Sequence, residues 1–170
     1  MRKKIINFTI ILIIITILTT EVKTLAYTYT GYVFSNPLSI TYYITGSVGA
    51  YSTLVSGKCT AWNSLSEINI TVSNSTSANI MLYADYTYDN GTYAVTTPYS
   101  NSLYNITIYK AFVNLNTTRA QETVVHEIGH TLGLDHCEPA KNSISVMRAY
   151  GFNDAPYPLS DDIAGIQNLY

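Results

Sequence analysis

Charge is scarce in this chain. Lys, Arg, Asp and Glu make up 12% of its 170 residues, about half the usual share. That scarcity excludes a charge-rich disordered chain, a coiled coil and a long acidic or basic tail. Cysteine is scarce as well. Cys59 and Cys137 allow at most one internal bridge and exclude a disulfide-dense mini-scaffold. Histidine occurs three times. No internal repeat and no linker divides the sequence. What abounds is tyrosine, 16 residues, amid many Thr, Asn and Ser, with 47% hydrophobic residues overall. The expectation is one domain with a buried core and an uncharged polar surface on β-structure.

Residues 1–26 read as a secretory signal. Arg2, Lys3 and Lys4 precede an apolar run from Ile5 to Leu18, and Thr24-Leu25-Ala26 offers small residues at a cleavage site. The alternative is an uncleaved anchor, for which the run is short, since a span needs about 20 residues. The leader holds Arg2, Lys3, Lys4 and Lys23 against Glu21, so its removal takes the formal charge from −2 to −5. An acidic domain of 27–170 is a poor nucleic-acid binder, which needs a basic stripe. Nothing beyond the leader suggests membrane association.

Within 27–170 the hydrophobic period changes several times. Residues 38–44 alternate as a half-buried strand. Val55, Cys59 and Trp62 then fall at i, i+4 and i+7, predicting a helix within 50–66. Ile68, Ile70 and Val72 predict a second strand, 80–84 a more buried third, 93–97 a short edge strand, and another lies within 104–113. Thr118 with Gln121 predicts a capped helix start. Val124, Ile128 and Leu132 give that helix one apolar face, and Gly133 suits a left-handed stop. A loop covers about 137–160. Ser160 is the expected cap of a last helix with Asp161 and Asp162 at its positive end.

All three histidines lie in His126-Glu127-Ile128-Gly129-His130-Thr131-Leu132-Gly133-Leu134-Asp135-His136. Residues i and i+4 of a helix are about 40° apart and about 6 Å along the axis. His126 and His130 can therefore reach one ion. Glu127, about 100° round, can lean toward the ion's open side without ligating it. Gly133 lets the chain reverse, and His136 can return as a third ligand. Three neutral imidazoles suit zinc and leave a fourth position for water. Zinc would acidify that water, and Glu127 would accept its proton and hand it to a leaving nitrogen. Peptide-bond hydrolysis is the natural outcome.

These eleven residues resemble the zinc signature of the metzincin metallopeptidases. Ser145-Val146-Met147 resembles the entry to their Met-turn, and 159–167 is similar to the closing helix of the matrixin branch. The resemblance implies an α+β zincin-like catalytic domain: a twisted, mostly parallel sheet with two helices and a small C-terminal subdomain ending in a helix. It also implies that Met147 floors the metal site and that Asp162 braces the turn, although both aspartates suit a helix N-terminus by charge alone. Matrixins usually bind a second, structural zinc through histidines outside the signature. This chain has none, so one Zn2+ is expected, and no residue pattern supports calcium. The family's usual Tyr-Pro after the Met-turn methionine is Arg148-Ala149 here. By the same resemblance Tyr150, at a shifted offset, is a candidate for a pocket wall.

The resulting expectation is a secreted, monomeric zinc endopeptidase acting on polypeptide, with His126, His130 and His136 as metal ligands and Glu127 as the catalytic base. Substrate would add as a strand near 93–97. The alternatives are a binding module with a structural zinc, or hydrolysis of a non-peptide amide. Cys59 and Cys137 are expected to pair in an oxidising compartment. Two buried thiols, or a Cys59 thiolate held on the zinc, are the alternatives.

Overall fold

The computed structural model describes residues 28–170, so the leader read at 1–26 lies outside the described residues. Five strands form one sheet: β1 (Ile40–Ile44), β2 (Ile70–Val72), β3 (Ile80–Asp85), β4 (Ala94–Ser100) and β5 (Leu103–Tyr109). Their order is β2-β1-β3-β5-β4. All pairings are parallel except β4 with β5, which places an antiparallel strand at one edge. Among the described residues three α-helices accompany the sheet: α1 (Ser52–Cys59), α2 (Thr117–Thr131) and α3 (Ser160–Leu169). This is the α+β, mostly parallel architecture expected from the sequence.

Period-two patterning sets the sheet. Ile40 and Tyr42 of β1, and Tyr104, Ile106 and Ile108 of β5, are buried on one side. Leaving β1, the chain crosses through α1 and returns as β2, the connection that a parallel pair requires. Val55 and Cys59 bury the inner face of α1, and the Tyr42 hydroxyl meets Ser56 Oγ at 2.9 Å, tying β1 to α1. Trp62 is fully buried and donates its indole N–H to the Val125 carbonyl of α2 at 3.0 Å.

Three local expectations need correction. The helix predicted within 50–66 is α1 flanked by 3-10 turns at Gly46–Tyr51 and Ala61–Ser64. The second turn arises because Trp62 must enter the core while the Asn63 side chain clamps both backbone groups of Ile70, at 2.8 and 2.9 Å, drawing the chain into β2. The cap of α2 is Asn116, whose Oδ1 accepts from Arg119 N at 2.9 Å, rather than Thr118. The cap of α3 is Leu159, not Ser160. A Leu side chain cannot accept a hydrogen bond, and Asp162 Oδ2 instead reaches back to Leu159 N–H at 2.7 Å.

A short N-terminal strap has no counterpart among the sequence expectations. Tyr29 bridges Leu134 in antiparallel fashion, Thr30 N–H donates to Gly133 O at 2.9 Å, and Asp135 N–H donates to Thr28 O at 2.9 Å. The strap thus runs beside the segment that leads to His136. Among the described residues no helix is long and apolar enough to cross a membrane.

Candidate metal centre

Helix α2 carries His126, Glu127 and His130 on its final turns. It stops with a left-handed Gly133 (φ 99°). Leu134 N–H returns to Gly129 O and Gly133 N–H to His130 O, both at 3.1 Å, which is the paired closure of a Schellman ending. The reversal carries Leu134, Asp135 and His136 back beneath the helix. An added Cβ at Gly133 would lie 2.8 Å from Tyr32 O, so the strap also requires glycine here. Sequence spacing anticipated this turn for its backbone freedom alone.

The three imidazoles converge. One ring nitrogen from each of His126, His130 and His136 falls in a group whose members all lie within 4.8 Å of one another. The ring centroids are 4.6, 4.9 and 5.3 Å apart. Two rings are oriented by backbone carbonyls: His126 Nδ1 lies 2.8 Å from Val146 O, and His130 Nδ1 lies 2.8 Å from Leu134 O. A carbonyl only accepts, so both Nδ1 atoms carry the proton and both Nε2 atoms carry lone pairs. Those Nε2 atoms face each other at 3.0 Å. Two lone pairs at that separation repel unless a cation lies between them. The donor set and its tautomers therefore fit a zinc ion held by His126, His130 and His136.

Burial and the neighbouring imidazoles depress the His126 pKa to about 3, and burial lowers that of His136, so in the folded chain both rings favour the neutral, ligating form. Glu127 is buried beside them, and burial pushes its pKa up while His130 and Thr96 pull against that rise. Its Oε2 accepts from the Thr96 hydroxyl at 2.6 Å. Oε1 has no hydrogen-bond partner among the described residues.

The support beneath the rings comes from the turn at 145–147. Asp162 Oδ2 accepts from Val146 N–H at 2.9 Å and Asp162 Oδ1 from the Ser145 hydroxyl. Val146 O is the atom that orients His126. Asp162 thus both caps α3 and braces the turn, joining the two roles its position allowed. Met147 is buried against Gly129 and Trp62.

His126, Glu127, His130 and His136 line one cleft of about 750 Å³, together with Tyr93–Thr96 and Pro98 of the edge-strand region and with Arg148–Phe152, whose Phe152 ring packs on Tyr93 at 5.6 Å. Tyr150 lies on this rim at 88% exposure. Arg148 holds the rim loop by donating to Tyr150 O at 2.7 Å and to Phe152 O and Asn153 Oδ1, each at 3.0 Å. Glu122, buried on α2, accepts from Asn153 N–H at 2.7 Å and Ala155 N–H at 2.9 Å. Sequence reading missed Glu122, Arg148 as a loop organiser and Thr96. For Thr96 a signal existed: a hydroxyl two residues from Ala94, on the same face of the edge strand predicted over 93–97.

The expected disulfide is not present. Cys59 and Cys137 are both free and buried. Cys59 lies in the core cluster on the inner face of α1, while Cys137 Sγ rests 3.5 Å from Asn142 Oδ1. Cys59 is also outside the histidine cluster, which removes the thiolate-latched alternative.

A family model for matrixin peptidases (Peptidase_M10) matches residues 74–170, which include α2, the turn at 145–147 and α3. No curated protein matches the chain.

Proposed function

The chain belongs to the matrixin family of zinc metallopeptidases, and on that premise we propose that it is a secreted endopeptidase in which Glu127 is the catalytic base and His126, His130 and His136 hold one zinc ion. One observation carries the reading: two imidazole lone pairs aimed at each other at 3.0 Å, with a third ring and a buried carboxylate alongside. When bound, the zinc supplies Lewis acidity that makes water a nucleophile near neutral pH and polarises a peptide carbonyl. Glu127 Oε1 would take a proton from water in the cleft and deliver it to the departing amide nitrogen. The Val146 and Leu134 carbonyls keep the His126 and His130 rings turned so that Nε2 stays available. Strand β4, at the sheet edge, offers backbone groups to an extended peptide, and Pro98 removes one N–H from that edge.

Secretion rests on the leader at 1–26, and a monomer is the expected state of the domain at 27–170. A structural-zinc binding module gains no support, because a buried carboxylate that stays off the histidine cluster has no role in such a site. The test is Glu127→Ala measured for metal content and peptide cleavage. We expect one zinc per chain retained and hydrolysis lost. A variant that still cleaves peptides at the wild-type rate would remove Glu127 from the reaction.

A further inference from the structure

Glu127 has two carboxylate oxygens and only one of them is committed. The Thr96 hydroxyl donates to Oε2 at 2.6 Å and also lies 3.0 Å from the Glu127 main-chain carbonyl. Thr96 stands on β4, opposite Ile106 of β5. Its same-face neighbours Ala94 and Pro98 have no polar side-chain atom to offer. The strand nearest the cleft therefore reaches the helix carboxylate through one hydroxyl.

We propose that Thr96 is a positioning residue that fixes the Glu127 carboxylate, so that Oε1 alone handles the proton while the edge strand and the base keep a constant separation. The inference rests on the peptidase reading above. A hydroxyl has one hydrogen, and the shorter contact assigns it to Oε2. When Oε1 gains a proton from water, Oε2 becomes the carbonyl-like oxygen and still accepts from Thr96. When Oε1 gives that proton to the leaving nitrogen, the carboxylate is restored with the Thr96 bond unbroken. The bond is made in both protonation states, so the carboxylate need not rotate between the two transfers. Because an extended peptide adds along β4, the hydroxyl also ties the base to the strand that sets the height of the scissile bond. Without it the carboxylate samples other rotamers, and the fraction aligned for transfer falls.

The test compares wild type, Thr96→Val, Thr96→Ser, Glu127→Ala and the Thr96→Val/Glu127→Ala double variant. Valine keeps the branched shape of a strand residue at this half-buried position and removes only the hydroxyl. We expect Thr96→Val to keep wild-type zinc content, to lower the melting temperature by a few degrees at most, to leave KM within about twofold, and to lower kcat about ten- to a hundredfold. Thr96→Ser should recover most of that loss. In the Glu127→Ala background the valine should cost nothing further, because Thr96 acts through that carboxylate. A crystal structure of zinc-loaded Thr96→Val should show Glu127 in more than one rotamer. An unchanged kcat, a loss confined to KM, a serine variant as impaired as valine, an added loss in the double variant, or a single unmoved Glu127 rotamer would each overturn the proposal. If wild type cleaves no peptide, the peptidase reading fails, and the Glu127 rotamer in the Thr96→Val crystal still decides whether Thr96 fixes the carboxylate.

Discussion

The sulfur of Met147 occupies the space that a side chain on Gly129 would need. A Cβ there would lie 2.4 Å from Met147 Sδ and 2.9 Å from the Trp62 ring. Gly129 has ordinary helical backbone in α2, between the two helical histidines. Elsewhere on such a helix Gly→Ala would stabilise by about 1 kcal/mol. Here overpacking outweighs propensity, and Gly129→Ala should destabilise by about 1–3 kcal/mol. Denaturant unfolding of the metal-free protein measures this. Met147→Ala combined with Gly129→Ala should recover part of the loss relative to the two single costs added together, since the second change removes the obstacle to the first. A stabilised Gly129→Ala protein would show that the methionine yields freely and is no fixed floor.

Asp162 reaches the metal centre through two hydrogen bonds in series. Its carboxylate holds Val146 N–H, and Val146 O holds His126 Nδ1. Substituting Asp162→Asn leaves one acceptor oxygen where two serve Ser145, Val146 and Leu159, and puts an NH2 in place of the other. The expected cost is about 2–4 kcal/mol of stability. Zinc affinity should fall about 10- to 100-fold although no ligand is touched. Competition with a chromophoric chelator reads the affinity. An unchanged affinity with reduced stability would confine Asp162 to capping α3.

The legibility of the sequence followed the range of each interaction. His126, Glu127 and His130 were readable because helical geometry fixes neighbours four residues apart. Gly133 was readable because its backbone demand is local. Strands β1 and β2 announced themselves through alternation, and β3 through an unbroken apolar run. What escaped depends on partners distant in sequence. Thr96 meets Glu127 across 31 residues, and Thr30 meets Gly133 from the far end of the described chain. The two caps were misplaced by one or two residues because Ser and Thr compete with Asn116, and with a carboxylate reaching back from Asp162, for the same orphan N–H groups. The cysteines misled for a related reason. Composition and compartment favour a bridge, but Cys59 fills a core position at the end of α1 and Cys137 belongs to the turn after His136.

That packing makes a prediction about thiol chemistry. Burial pushes the thiols of both Cys59 and Cys137 up, so neither forms thiolate readily at neutral pH. The native protein should react slowly with an aromatic disulfide reagent. Denatured without reductant, it should release two equivalents. Reductant should leave the melting temperature unchanged, because no loop is closed by a bridge. A melting temperature that drops on reduction, with no thiols released beforehand, would restore the disulfide.

The last prediction concerns acid and the metal-free state. His126 has a folded pKa depressed to about 3, whereas an unfolded imidazole titrates near about 6.5. As pH falls below about 6.5 the unfolded chain binds a proton that the folded chain refuses. The stability His126 allows is therefore fully present above that pH and is lost progressively on acidification. Glu127 and Asp162 act in the opposite sense. Burial raises both, so their folded forms hold a proton at pH values where the unfolded carboxylates have lost it, and folding gains as pH falls through those raised values. The net curve mixes these effects, and a single-site variant separates them. His126→Gln removes the depressed imidazole, so the melting temperature of metal-free wild type should lose ground to that of the variant between about pH 7 and 4. A gap that stays constant across this range would mean that the His126 ring is as easily protonated in the fold as in water, and that its burial contributes nothing to keeping the ligand nitrogen open.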